Sequence, residues 1–371
     1  AQILAGGGAG LAADGGNNKF TIDISSTTAD AGDLNSIHAL TSLTVALDKV
    51  TALTGTFAEL EDYIVDQAQY TSKNNITTVT ITGQTVIDGT GTNGSVAELL
   101  TFRNDIRDTS DGHGSPTISL ANIATLSAGK DNLNSVRTSG HFTNKASVNY
   151  TVTGETISIS EANDFSGATA GTVTATIEEQ TIAQILDSTD GLNADGGNNA
   201  FTIDISSTTA DAGDLASIHA LTSETVALDQ VTTLTGTFAE LKQYITDEDQ
   251  YTSKNNITTV TIDAQAIDGS GTNGTVAELI TFHTDIRDAA GDGHGTPNVD
   301  LTNVTLLSGG HGNLDTIRTT ATFTNKAAVD YTVTGGAINI TQANNLSGAT
   351  TGKVTATLAN GALADFIGAG G

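Results

Sequence analysis

Leu53-Thr54-Gly55-Thr56-Phe57-Ala58-Glu59-Leu60 is the stretch on which the fold of this chain turns. Thr56 and Glu59 match the [S/T]-x-x-E capping box, in which hydroxyl and carboxylate satisfy each other's orphan N–H groups at a helix start. Leu60 and Ile64 follow at helical spacing. The same element returns 39 residues later as Gly94-Ser95-Val96-Ala97-Glu98-Leu99, with Phe102 and Ile106 continuing the apolar face. Asp33-Leu34-Asn35-Ser36-Ile37 and Asn132-Leu133-Asn134-Ser135-Val136 form a second related pair of helices. The module is read as strand, turn and short capped helix.

Further strands are read at Phe20–Ile24, Thr77–Ile81, Val148–Val152, Thr156–Ile159 and Val173–Ile177, all rich in β-branched residues. Threonine on the wet face of each predicts half-buried antiparallel sheet. About four strand–turn–helix modules are expected, followed by a purely β tail from Phe142 to Ile177. Their spacing is too uneven to define a regular solenoid.

The chain is also written nearly twice. Ala13-Asp14-Gly15-Gly16-Asn17-Asn18 returns as Ala194-Asp195-Gly196-Gly197-Asn198-Asn199, and Tyr150-Thr151-Val152-Thr153-Gly154 as Tyr331-Thr332-Val333-Thr334-Gly335, a period of 181 residues. The expected fold is a β-rich mixed α/β repeat protein. It has two tandem copies of one domain, residues 1–182 and 183–371, each with many short strands and a few short capped helices. Ala1-Gln2-Ile3-Leu4 matches Ala183-Gln184-Ile185-Leu186, and Leu363-Ala364-Asp365-Phe366-Ile367 falls in register with residues 182–186. Residues 364–371 thus resemble the start of a third unit. A chain that copies a whole domain builds length or valency, and no enzymatic function is expected of it.

The 371 residues hold 14 basic and 42 acidic side chains, a net charge of −28. Split at residue 181, the halves carry 8 against 20 and 6 against 22, so both are acidic. Such a surface repels nucleic-acid phosphates and attracts cations. With no cysteine, disulfides and thiolate chemistry are excluded. No run approaches the ~18 apolar residues of a membrane span. An Ala-Gln start fits cleavage after a small-residue signal site, and equally excision from a longer array. Secretion to the cell surface is the expected destination.

Gly89-Thr90-Gly91-Thr92-Asn93-Gly94 is a literal G-x-G-x-x-G. No continuous apolar strand precedes it and Asp88 and Glu98 flank it, so it reads as a turn into a capped helix and not as a dinucleotide site. Acidic glycine turns are the better ligand candidates: Asp14 and Asp23, Asp88, and Asp111 before Gly112-His113-Gly114, with Asp195, Asp204, Asp268 and Asp292 in the second half. Calcium takes six to eight oxygens and suits such loops. None keeps the EF-hand register, since the sixth and twelfth positions counted from Asp88 are Asn93 and Leu99. Ordinary Asx turns are the competing reading. His38 and His219 read as partly buried helix residues; His113 and His294 sit in Asp-Gly-His-Gly loops without a second histidine nearby. No cofactor other than calcium is expected.

Val50-Thr51-Ala52 with Leu53–Leu60 resembles a motif, V-T-x-L-T-G-T-x-A-[DE]-L, of very large repeat-built surface proteins of marine bacteria and cyanobacteria. The resemblance covers about a quarter of each unit, and the long tail of each unit departs from it. It implies an extracellular, non-enzymatic role in a surface layer, sheath, filament or adhesin. The leading expectation is a structural protein that assembles head to tail with itself, joined through Ala1, Ile3 and Leu4 at one end and Leu363, Phe366 and Ile367 at the other. The alternatives are the stalk of a large adhesin and a secreted polysaccharide-acting enzyme. Cell-surface polysaccharide is the other partner class, although the chain has no Trp and is only 4% aromatic.

Overall fold

The computed structural model describes residues 11, 18–193, 199–288, 293–361 and 366. They form a mixed α/β fold of many parallel strands and eleven α-helices, in two compact units. Unit 1 takes in Ala1–Thr176 and Asn198–Phe201; unit 2 takes in Ile177–Gly197 and Thr202–Gly371.

In unit 1 the order is β1 (Ile22–Asp23), β2 (Thr28–Asp30), α1 (Ala31–His38), β3 (Val45–Ala46), β4 (Ala52–Gly55), α2 (Phe57–Val65), β5 (Tyr70–Thr71), β6 (Thr78–Ile81), β7 (Val86–Ile87) and α3 (Val96–Asp105). It continues with β8 (Thr117–Ser119), β9 (Thr125–Ala128), α4 (Lys130–Thr138), β10 (Phe142–Thr143), β11 (Asn149–Ile157), α5 (Ile159–Ser166) and β12 (Val173–Ile177). Within the unit the strand orders are β1-β3-β5, β2-β4-β6-β8-β10 and β7-β9-β11-β12.

The paired strands are parallel, which corrects the antiparallel expectation. A strand that must pair in parallel with its successor needs a long crossover, and the helix of each module supplies it. Thr28 pairs with Ala52, Ala52 with Thr78, Thr78 with Thr117 and Ile118 with Phe142, steps of 24, 26, 39 and 24 residues. Each step is one rung of strand, strand and helix. The long step is the rung that holds both β6 and β7: the β1-β3-β5 sheet ends just before it and a new set of strands begins at β7. This change of face explains the uneven spacing in the sequence.

The helices start where their caps predict. Thr56 and Ser95 accept the Glu59 and Glu98 N–H groups, and both glutamates return a carboxylate to the cap. Behind α2 and α3, Phe57 and Phe102 meet edge to face at 5.9 Å, and Leu53, Leu60, Val79 and Leu99 are fully buried around them. The tail is not purely β. Thr156–Ile159, read as a strand, contains the cap of α5: Ser158 accepts from Glu161 N–H in a third capping box. Ile157 ends the strand and Ile159 starts the helix, so period-two alternation ran through the boundary unseen.

Unit 2 contains α6 (Ile182–Ile185), β13 (Ala200–Asp204), β14 (Thr209–Asp211), α7 (Ala212–His219), β15 (Val226–Ala227), β16 (Thr233–Gly236), α8 (Phe238–Thr246), β17 (Tyr251–Thr252), β18 (Thr259–Ile262), β19 (Gln265–Ile267) and α9 (Val276–Asp285). After it come β20 (Asn298–Asp300), β21 (Val304–Gly310), α10 (His311–Thr319), β22 (Phe323–Thr324), β23 (Asp330–Thr334), α11 (Ile340–Ser347) and β24 (Val354–Thr355). Its orders are β13-β15-β17, β14-β16-β18-β20-β22 and β19-β21-β23-β24, paired in parallel. No helix among the described residues is long and apolar enough to cross a membrane.

Replacing Thr56 or Ser95 by Ala leaves the Glu59 or Glu98 N–H without its cap and is expected to cost about 0.5–2 kcal/mol. Thermal or urea melts of each variant check this, and an unchanged midpoint at both sites counts against the capping assignment.

Candidate functional site

The glycine motif folds as a turn. Gly89, Gly91 and Gly94 all have positive φ, Gly89 N–H donates to Gly94 O at 2.8 Å, and Ser95 then caps α3. Gly94 lies so close to the Phe57 ring that a Cβ there would overlap it, which leaves only glycine at this position. Asp88 organises the same turn: its Oδ1 accepts from Thr90 N–H at 2.9 Å, Thr90 Oγ1 at 2.7 Å and Asn93 Nδ2 at 3.2 Å. Those bonds, Thr90's hydroxyl first, hold the carboxyl below the usual carboxylate range. Asp268 is held in the same way by Ser270 and Asn273.

The other acidic candidates fall in separate settings. Asp23 closes β1 and is exposed. Asp204 closes β13, where burial, then Asp229 and Glu179, raises its carboxyl above the ordinary value. Asp111 accepts from Gln67 Nε2 at 3.1 Å. Asp14, Asp195 and Asp292 lie outside the described residues, as do Ala1, Ile3, Leu4, Leu363 and Ile367. Phe366 is helical and exposed. Among the described residues, no three His, Asp or Glu side chains gather as a metal group.

The polar cluster that the structure does assemble lies under the Asp-Gly-His-Gly loop. Chain geometry drives it there. The loop follows α3 in the long rung and lies against the turn after β5, where Gly114 is too close to Asn74 O and Ile76 O to carry a side chain. His113 is therefore pressed inward, buried beside Tyr63 at 6.1 Å between ring centroids. Tyr63 stacks on Tyr70 at 5.0 Å, and Tyr70 Oη donates to Asn35 Oδ1 at 2.9 Å. Buried Lys73 donates to Gln67 O at 3.0 Å, and the Gln67 amide ties the loop down through Asp111. Tyr63 Oη and Gln67 Oε1 are buried without a hydrogen-bond partner among the described residues. Burial, then the Lys73 charge, lowers His113 to about 4, and burial raises both tyrosines, so apart from Lys73 the interior of the cluster is neutral near pH 7.

In the second half Glu248 stands where Gln67 stands in the first. Glu248 Oε2 lies 3.4 Å from His294 Nδ1 and 4.0 Å from Lys254 Nζ, while Lys254 also donates to Glu248 O at 3.0 Å. Tyr244 stacks on Tyr251 at 5.1 Å beside His294. A neutral amide holds one loop and a carboxylate–imidazole contact holds the other. Sequence reading treated His113 and His294 as loop residues and missed that Tyr63, Gln67 and Lys73 lie under the loop. The recurring Tyr…Gln/Glu…Lys…His order was the available signal. His38 and His219 are half-buried at helix ends against Tyr70 and Tyr251, as their spacing predicts.

No protein-family profile, no curated protein and no solved structure matches this chain.

His113 makes a pH prediction. Its folded value of about 4 lies below the unfolded 6.5, so the unfolded chain binds the proton first as pH falls. The neutral-histidine stabilisation is complete above about pH 6.5 and is lost on descending to about 4, by about 3 kcal/mol in all. His113→Gln removes this contribution. Melting midpoints taken between pH 7 and 4 should fall less steeply for the variant than for the parent chain, and parallel curves contradict the assignment.

Proposed function

We propose that this chain is an extracellular structural protein whose two tandem copies of one domain assemble head to tail into a filament, sheath or surface layer. The duplication is supported by element positions: α1 and α7, α2 and α8, and α4 and α10 each start 181 residues apart, as the sequence period requires. The observation that carries the assembly reading is the state of the sheet edges. Among the described residues, β1 and β2 stand at the ends of their sheets at the start of unit 1, and β24 at the end of its sheet in unit 2. Large apolar residues are exposed near both, Phe20 at one end and Leu358 and Phe366 at the other. A parallel edge open to a second copy is a template for another strand, and two different edges on one chain would give a heterologous contact that propagates instead of closing.

The acidity supports a surface role and sets a condition. Copies carrying −28 each repel one another, and salt shortens the range of that repulsion to about 10 Å at 0.1 M. Assembly should therefore lengthen as sodium chloride rises from about 10 mM to about 0.5 M. Calcium should act more strongly than sodium at matched ionic strength only where the Asp88, Asp111 or Asp268 loops bind it. Sedimentation together with negative-stain microscopy reads this directly. Ordered polymers are expected; isolated rods at every salt concentration would favour the adhesin-stalk alternative, and compact single particles would end both.

A further inference from the structure

Asparagine is followed by glycine at Asn93-Gly94, Asn273-Gly274 and Asn360-Gly361. In such a pair the next backbone nitrogen can attack the asparagine side chain most freely, because glycine puts no Cβ in its way. Packing forces the glycine in the first two pairs. Gly94 lies against the Phe57 ring and Gly274 against the Phe238 ring, too close in each case for a Cβ, and both have positive φ. Among the described residues neither Gly94 N–H nor Gly274 N–H donates a hydrogen bond, so the attacking nitrogen is unengaged.

What the turn restrains is the asparagine. Asn93 Nδ2 donates to Asp88 Oδ1 at 3.2 Å and to Thr90 Oγ1 at 3.4 Å, and Asn273 Nδ2 donates to Asp268 Oδ1 at 3.3 Å and to Ser270 Oγ at 3.2 Å. Unit 1 adds a second restraint. Gln84 Nε2 donates to Asn93 O at 2.9 Å, while Gln84 Oε1 accepts from Phe57 N–H at 3.1 Å. Asn93 O and Gly94 N share one peptide plane, so this bond fixes the direction of the attacking nitrogen. In unit 2 only two residues separate Gln265 from Asp268, where three separate Gln84 from Asp88. Gln265 is drawn into β19, and its Nε2 is buried with no partner among the described residues. Asn360 and Gly361 are exposed and lie outside any helix or strand.

We propose that Asn93 and Asn273 are sites of slow self-modification to aspartate and isoaspartate, guarded by Asp88 and Asp268 and, at Asn93, also by Gln84. Gly94 N bonds to Asn93 Cγ, its proton passes to solvent, and the side-chain nitrogen leaves as ammonia. Water then opens the cyclic imide at either carbonyl, so nothing is oxidised or reduced. Gly274 acts on Asn273 in the same way. The product is an acceptor only: it cannot donate to Asp88 and sets a second carboxylate against it. The isoaspartate form also lengthens the backbone of a turn that Gly89 N–H closes on Gly94 O at 2.8 Å. Either product loosens the approach to the Ser95 cap of α3 and adds a negative charge to the chain. The change is irreversible and needs no partner, so it marks the age of the molecule. Neither the chemistry nor its guard depends on assembly.

The test is peptide mapping by mass spectrometry, separating asparagine, aspartate and isoaspartate, on the full chain aged at mildly alkaline pH. The folded parent should convert Asn360 fastest, Asn273 more slowly and Asn93 slowest, and these differences should vanish in a chain held unfolded in urea. Asp88→Ala and Asp268→Ala each free the neighbouring amide from a charged acceptor. Each should speed conversion at its own asparagine about tenfold or more and leave the other site at its parental rate. Gln84→Ala should bring Asn93 up to the rate of Asn273. Asn93 and Asn273 converting as fast as Asn360 in the folded parent overturns the guard, as does a folded Asp88→Ala or Asp268→Ala variant with the parental rate. Both sites staying intact in parent and variants after Asn360 has fully converted overturns the modification itself. Asn93 converting faster than Asn273 overturns the part given to Gln84. Where a variant misfolds, the order in the folded parent, set against the urea-unfolded chain, decides alone.

Discussion

Parallel pairing is the constraint from which the rest of this structure follows. A parallel strand has its backbone groups satisfied only by the rungs before and after it, and the chain must cross over between them. Several rungs make that crossover with a helix that begins within a residue or two of its strand, as Gly55, Thr56 and Phe57 do, while α3 and α9 follow β7 and β19 only after a glycine turn. Every helix start leaves N–H groups with no partner, and the capping boxes at Thr56, Ser95, Ser158, Thr237 and Thr275 supply one. Their glutamates are acidic for this reason: the cap N–H groups hold Glu98, Glu161 and Glu278 below the usual carboxylate range. Asp30 and Asp211 cap α1 and α7, and Asp88 and Asp268 close glycine turns. Part of the acidity thus serves to turn corners.

The same constraint explains the long rung. Once β7 opens a new face, the β1-β3-β5 sheet must end, and an end of a parallel sheet is an unpaired edge. The Asp-Gly-His-Gly loop lies over that end. Its Gly114 presses on the Asn74 and Ile76 carbonyls, its His113 buries against Tyr63, and its Asp111 is tied to Gln67. The fold therefore has a device for closing an edge and uses it in the middle of the unit. Among the described residues β1, β2 and β24 also end their sheets, and Phe20 and Leu358 near them are exposed.

Much of this was legible in the sequence, and the remainder was hidden for identifiable reasons. Capping boxes are local chemistry, so α2 and α3 were placed almost to the residue, and Val173–Ile177 was placed outright. Strand direction is not local. Threonine alternating with valine or isoleucine looks the same in either orientation, because it reports one wet face and not the partner. The helix α5 was lost because Thr156-Ile157-Ser158-Ile159 keeps period two across its cap. The buried cluster was illegible because Tyr63, Gln67, Lys73 and His113 are brought together by a change of face that only the assembled rungs reveal. Of the acidic loop candidates, Asp88 and Asp268 took the Asx-turn role that was the competing reading.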